Sequence, residues 1–553
     1  MLTDVPYVVE PIDESSILEH GEIFTRLWVV ELILDLCGYT ADRDLVPLTA
    51  IEPSCGSGAF VAPMAERLVE SARRHGRKIE EASHSIQAFD LLGRNVNDTR
   101  DLVNRRLLES GVAAKLAQKL ATDWIRHADF LLDAPRAESA DIVVGNPPYV
   151  RLEDVAADRS AAYRSICKTM GGRSDIYIGF YEMGLRALRP GGTLGFICAD
   201  RWMRNAYGSR LRDMISSGWS LDTVINMTGV DAFEEEVDAY PAITILRREA
   251  QTTGPVIADA RPGFGAAAAG KLSSLVINDS GPPRSNSDHF TATRMLSWFT
   301  GPGGWPSGSP ERIALISDLE ARLHPLEDSE TGTKVGIGVA TGADKVFIVK
   351  EAPGVESGRL LPLAMSSDIS SGSVEWSGRY LVDPWDRNGL VNLADWPGLE
   401  SYLTPFKERL SNRHTAKSGK WHKTIDRVID GLTERPKLYL PDFKEVIFPV
   451  LDDGRTYPHH NLYWVTSDSW DLEILGGLLL SDISNLFIEA YSVRMRGGYL
   501  RFQAQYLRRI RVPAITNVDK ESASNLASAF RRRDREAATA ASLPLYGIEE
   551  LPT

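Results

Sequence analysis

Between about residue 20 and residue 250, apolar runs of strand length alternate with helical stretches, and this alternation admits little besides a parallel α/β sheet. Residues 48–51, 86–89, 141–144, 193–198, 221–227 and 242–246 are the strand-like runs. Residues 23–36 read as an apolar-faced helix, and a second helix over 175–188 stops at Arg189-Pro190-Gly191-Gly192, a strong terminator. The expectation is one α/β domain over 1–250. Residues 251–310, with GFGAAAAG, SGPPRSNS and GPGGWPSGSP, read as a linker or connecting segment. Residues 311–515 are rich in aromatics, short β-like runs and Arg/Lys clusters and form a mixed α+β second domain, and 516–553 form a polar helical tail. No repeat of fixed period is present.

Composition narrows the function classes. A chain of 553 residues, 43% hydrophobic and 25% charged, is an ordinary globular protein with room for a large core. No apolar run approaches the ~20 residues of a membrane helix, and the acidic N-terminus carries no basic-then-apolar export signal. The four cysteines, Cys37, Cys55, Cys167 and Cys198, are widely spaced without a CxxC pair. That spacing argues against zinc clusters and disulfide scaffolds; no metal site is expected, and a reducing cytoplasm fits. A net charge of −13 argues against a non-specific polyanion binder but leaves room for one basic groove.

Three strand ends carry acids. Glu52-Pro53-Ser54-Cys55-Gly56-Ser57-Gly58 places an acid at a strand tip before a glycine turn, where backbone N–H groups can approach a ligand. Asp90 ends the next strand, placed to accept two ribose hydroxyls, and Asp129 offers an acceptor for an exocyclic amine beside the Phe130 ring. No Gly-x-x-x-x-Gly-Lys-Ser/Thr loop is present, so a nucleoside without a pyrophosphate is the expected ligand. The strand over 141–144 then runs through Gly145 into Asn146-Pro147-Pro148-Tyr149. The prolines fix nearby backbone; the Asn146 side-chain oxygen and the Pro147 carbonyl can both accept from one amino group, while Tyr149 offers a ring for a planar base.

Taken in order, these motifs resemble those of the gamma-class, TaqI-like, S-adenosylmethionine-dependent N6-adenine DNA methyltransferases of restriction-modification and related defence systems. The resemblance covers about residues 20 to 515. It implies a Rossmann-like class I methyltransferase sheet with helices on both faces, a C-terminal target-recognition domain and S-adenosylmethionine as cofactor. His20-Gly21-Glu22-Ile23-Phe24-Thr25 resembles the methionine-binding motif, giving Phe24 and Thr25 to the cofactor, although Arg26 stands where the family has proline. Asp175-Ile176-Tyr177 resembles the following helix motif, and Asp231-Ala232-Phe233 the motif supplying a second aromatic face for the base.

The implied reaction is methylation of N6 of an adenine flipped out of duplex DNA, since a stacked base hides N6 from any pocket. Cytosine-C5 chemistry would need an activated cysteine, typically after proline, and no cysteine here follows one. Glutamine or RNA-adenine methyltransferases share the Asn-Pro-Pro-Tyr site, and a non-catalytic DNA-specificity subunit is a further alternative. A C-terminal module of over 200 residues favours DNA, and the intact acids with Asn146 favour catalysis.

In the second half, Gly336 to Phe347, Arg435-Pro436-Lys437, Asn461-Leu462-Tyr463 and Gln505-Tyr506-Leu507 resemble landmarks of that recognition domain. Arg409, Arg413, Lys417, Lys420, Trp421 and Lys423 interleave cations with an aromatic, as a phosphate-contacting loop requires. Arg494, Arg496 and Arg501 form a second basic run, while Arg508-Arg509 and Arg531–Arg533 read as surface. The expected partners are double-stranded DNA and a cognate restriction endonuclease or other defence proteins. The expected setting is a monomer in a bacterial or archaeal cytoplasm, associated with the nucleoid.

Overall fold

The computed structural model describes residues 24–133, 135–235, 240–277, 284–492 and 500–552. It divides into two compact units, one up to Ile313 and one from Ala314.

The first unit contains, in chain order, α1 (Leu27–Leu36), β1 (Ala50–Glu52), α2 (Val61–Arg74), β2 (Ile86–Asp90), α3 (Gly93–Glu109), α4 (Ala114–Trp124), β3 (Ile125–His127) and β4 (Ala140–Gly145). It continues with α5 (Ala157–Ile166), α6 (Tyr177–Ala187), β5 (Leu188–Ala199), α7 (Ser209–Gly218), β6 (Ser220–Asn226), β7 (Pro241–Arg247), β8 (Val256–Ala260), α8 (Ala266–Ile277), β9 (Arg284–Ser287) and β10 (Phe290–Arg294). One sheet takes in all ten strands in the order β3-β2-β1-β4-β5-β7-β6-β8-β10-β9. Strands β3 to β5 pair in parallel, and β7 lies antiparallel between β5 and β6. The order reverses between β1 and β4, and a ligand crevice is expected at the carboxyl ends beside such a reversal.

Two cores explain the continuous apolar run Ile142-Val143-Val144 in the central strand β4. Ile142 and Val144 enter one core with Ile33 of α1, Leu68 of α2 and Val103 of α3. Val143 between them enters the other, with Tyr181 and Leu185 of α6 and Leu211 of α7. Successive residues of a strand point to opposite faces, so both faces are covered, and each large apolar side chain so buried stabilises by ~1.5–3 kcal/mol.

Segment 251–310 is not a linker. β8 pairs in parallel with β6, β10 pairs with β8 and β9 pairs with β10, so the segment extends the sheet. Trp305 is buried edge-on to Trp202 at 5.6 Å. The Gly, Pro and Ser residues belong to the turns, and averaging over them hides short strands that tolerate polar residues at a sheet edge.

The second unit holds a four-stranded antiparallel sheet of Lys334–Ile337, Leu462–Thr466, Lys437–Pro441 and Val450–Asp452. Another sheet joins Ile348–Val349, Tyr380–Val382, Leu360–Ala364 and Tyr457–Pro458. The tail at 516–553 forms two helices, Lys520–Arg532 and Arg535–Tyr546, which pack against Leu472–Leu480 and bury Leu526, Ala529 and Phe530. Arg533 is not plain surface: it lies 4.6 Å over the Phe530 ring and donates to the carbonyls of Pro449 and Gly372.

Among the described residues no single helix is long and apolar enough to cross a membrane, and no group of side chains is arranged to hold a metal. The four cysteines are buried and free.

Candidate active site

The carboxyl ends of β1, β2 and β4 surround a cavity of about 910 Å³, its open mouth included. Phe24, Thr25, Glu52, Pro53, Gly56, Asp90, Asp129, Phe130, Asn146 and Pro148 all line it. Gly58, Pro147, Tyr149 and Phe233, also expected at the site, are not among its lining residues.

The glycine turn after β1 is tied to the end of β2. Gly56, at φ +49°, takes a left-handed conformation that other residues rarely adopt, with nothing within 4 Å of where a Cβ would stand. Its N–H donates to Asp90 Oδ2 at 2.9 Å, and Thr99 Oγ1 donates to its carbonyl at 2.7 Å. Asp90 Oδ1 accepts from Leu92 N–H at 2.9 Å and Asn95 Nδ2 at 3.1 Å. The carboxylate expected to hold ribose hydroxyls therefore also clamps the turn.

Glu52 is 1% exposed, and its Oε2 is buried without a hydrogen-bond partner among the described residues. Burial first, and then the charge of Asp90, push its carboxyl well above the usual range. Gly145 leaves it room, since a Cβ there would stand 3.3 Å from Glu52 Oε1.

Asp129 has partners that the sequence did not disclose. Its Oδ2 accepts from Arg159 Nη1 at 2.5 Å and from the Tyr163 hydroxyl at 2.8 Å, and its Oδ1 accepts from Leu131 N–H at 3.0 Å. Burial raises the Asp129 carboxyl, and Tyr163 and Arg159 draw it back down. Arg159 and Tyr163 lie four apart on α5, the spacing that puts two side chains on one helix face. That spacing was the only available signal. Phe130 stacks on Phe180 at 5.7 Å and meets Phe89 edge-on at 5.5 Å.

Asn146 follows β4 directly, and its Nδ2 donates to Thr25 Oγ1 at 3.2 Å. Thr25 in turn forms a β-bridge with Phe233. Arg26 explains its departure from the family pattern, for it donates to the Phe233 carbonyl at 2.9 Å and pairs with Asp231 at 2.5 Å. Phe233 is 5% exposed and belongs to the core that also holds Ile142 and Val144. The methionine-motif residues His20 to Ile23 lie outside the described residues.

The Tyr149 ring is half-buried, edge-on to Tyr177 at 6.3 Å, and its hydroxyl is buried without a hydrogen-bond partner among the described residues. The chain after it is pinned by Ile176 N–H donating to the Val150 carbonyl at 2.8 Å and Leu152 N–H to that of Ser174 at 2.9 Å.

In the second unit, Arg409 and Lys420 are exposed, while Trp421 and Lys423 are half-buried. Arg413 corrects the expectation of a phosphate-contacting cation. Its guanidinium donates to the carbonyls of Leu410, Thr341, Trp421 and Lys423 at 2.7–3.1 Å, which pins the loop instead. The planar fork of arginine suits such carbonyl caging. Arg501 lies 5.3 Å over the Phe443 ring, with Nε 3.5 Å from Asp442 Oδ1. Arg494, Arg496 and the Lys417 side chain lie outside the described set.

Residues 74–233 match the family described as Eco57I restriction-modification methylase. The chain is 43% identical to the type II methyltransferase M.PaeR7I of Pseudomonas aeruginosa, over 97% of this chain and 93% of that protein. It is 42% identical to the type II methyltransferase M.XhoI of Xanthomonas vasicola, over 96% and 98% of the two chains. Among solved structures, the type IIL restriction-modification enzyme MmeI, in complex with DNA, matches with a TM-score of 0.56 at 14% identity, over 95% of this chain and 74% of that one. At that identity the likeness shows the fold alone.

Proposed function

The chain belongs to the type II restriction-modification methyltransferases, and from that premise we propose that it transfers a methyl group from S-adenosylmethionine to N6 of an adenine flipped out of a specific duplex DNA site. The observation carrying this reading is that one cavity gathers Glu52, Asp90, Asp129, Phe130 and Asn146 from four separate strand ends. Near-full-length kinship with type II methyltransferases decides against the RNA, protein-glutamine and non-catalytic alternatives.

The residues present suit the cofactor. A buried glutamate oxygen without a partner, a glycine turn that leaves space for a ligand and an acid beside stacked rings are what a cationic nucleoside requires. Phe24, Thr25, Glu52, Pro53, Gly56, Gly58, Asp90, Asp129, Phe130 and Asn146 would hold it. S-adenosylmethionine, when bound, supplies an electrophilic methyl group on a sulfonium.

The chain's own residues then position and polarise. The amino lone pair of adenine is delocalised into its ring and is a poor nucleophile. Asn146, with its amide nitrogen held by Thr25, turns its oxygen into an acceptor for that amino group, and the Pro147 carbonyl is the second acceptor. Two acceptors localise the lone pair, so catalysis is positioning plus electrostatics without a covalent enzyme intermediate. Pro148 holds the turn, Tyr149 covers one face of the base, and Phe233 is the residue we assign to the opposing side.

Exposed Arg409 and Lys420, with Lys417, Trp421, Lys423, Arg494, Arg496 and Arg501, are proposed to face the DNA backbone. Arg413 serves by ordering the loop over residues 409–423. We read the enzyme as a monomer of a bacterial or archaeal cytoplasm, accompanied by a cognate restriction endonuclease or other defence proteins.

The test offers tritiated cofactor to duplex DNA, RNA and protein, then identifies the labelled product by mass spectrometry. N6-methyladenine in DNA is expected. Label on cytosine, or on RNA or protein alone, would overturn the proposal.

A further inference from the structure

Among the residues proposed to hold the cofactor, Asp129 is the one expected to accept from its exocyclic amine, and the role of its neighbours rests on that reading. A carboxylate selects an amino group over a carbonyl only while ionised and held in one rotamer. As an acid it could both donate and accept, and the choice would be lost. Asp129 is in a setting that works against ionisation, because it is buried at the end of a strand run beside Phe130.

Two side chains of α5 answer that. Arg159 reaches Asp129 Oδ2 at 2.5 Å with the pair 11% and 9% exposed, so solvent screens the contact little. Tyr163, 3% exposed and itself lining the cavity, donates to the same oxygen at 2.8 Å. Both donors converge on Oδ2, leaving Oδ1, with its single bond among the described residues from Leu131, as the oxygen with capacity for a ligand.

We propose that Arg159 and Tyr163 are positioning residues that set the cofactor's base specificity by holding Asp129 ionised and oriented. The helix that follows the Asn146–Tyr149 turn thereby governs recognition of the adenine of the cofactor, and one stretch of chain serves both bases at the site.

Calorimetry with S-adenosylhomocysteine and its hypoxanthine counterpart, S-inosylhomocysteine, tests this. Wild-type protein should prefer the adenine form by roughly 10- to 100-fold, the scale of a hydrogen bond to a charged group. Arg159→Gln should collapse that ratio towards one, Arg159→Lys should restore part of it, and Tyr163→Phe should lower it less. A variant weakened equally towards both ligands would reveal a merely structural role and overturn the proposal. Asp129→Asn separates the two layers. If it keeps the preference, the reading of Asp129 and the inference fall together. If it loses the preference while both Arg159→Gln and Tyr163→Phe retain it, the inference alone falls. Should Arg159→Gln fail to fold, Tyr163→Phe and Arg159→Lys decide the question.

Discussion

Replacing Glu52 with glutamine should make the free protein more stable while loosening its hold on S-adenosylmethionine. Glu52 is enclosed, one of its oxygens lacks a partner, and Asp90 adds like charge nearby. An unsatisfied buried polar atom costs ~1–3 kcal/mol, more when charged, so neutralising it should return about that much at neutral pH. The pH dependence has a definite sign. Because the folded-state carboxyl is raised above its ordinary value, the folded protein binds this proton more tightly than the unfolded chain. The stability it contributes is fully present below the ordinary carboxyl range and is lost as pH rises through that range towards the raised value. Glu52→Gln should abolish that part of the slope. If Glu52 accepts from the cofactor, the variant should lose ~1.5–3 kcal/mol of affinity, roughly 10- to 100-fold in Kd. Urea midpoints for the free protein at acid and neutral pH, together with calorimetric titration of the cofactor, measure both effects. A variant less stable than wild type at neutral pH, or one binding the cofactor unchanged, would refute the reasoning.

Three further outcomes are expected. Asn146→Ala should lower the methylation rate by ~10²–10³ while retaining DNA binding, and near wild-type turnover would remove Asn146 from the mechanism. Tyr149→Phe should keep activity, and relief of an unpartnered buried hydroxyl should leave stability equal or higher; inactivity equal to that of Tyr149→Ala would mean the hydroxyl matters. Neutralising Arg409 and Lys420 should flatten the log–log salt dependence of DNA binding by about 0.9 per contact, whereas Arg413→Gln should instead lower the melting temperature. An Arg413 variant of full stability that binds DNA with a shallower slope would reverse that assignment.

The parallel strands of the sheet were legible because a strand buried on both faces must be apolar where it is covered, as Ile142, Val143 and Val144 are. The strand-end acids and Asn146 were legible because chemistry-bearing residues sit where such strands stop. The partners of Asp129 were not, since Arg159 lies 30 residues away on a helix whose composition looks solvent-facing. Arg413 misled for a related reason: a cation in a basic loop reads as a phosphate contact, yet a guanidinium can equally cap carbonyls of its own fold. In 251–310 the turn residues outweigh strands as short as Val256–Ala260.

The strands β8 to β10 determine where the chain can be cut. A fragment ending near residue 250 would strip β8 from β6 along the register Thr223↔Val256 to Asn226↔Asp259, leaving a row of bare N–H and C=O groups at an open edge. It would also lift Trp305 from Trp202 and uncover apolar surface. Such a piece should self-associate. The seam between the two compact units therefore lies beyond Ile313, some way past the apparent break in composition.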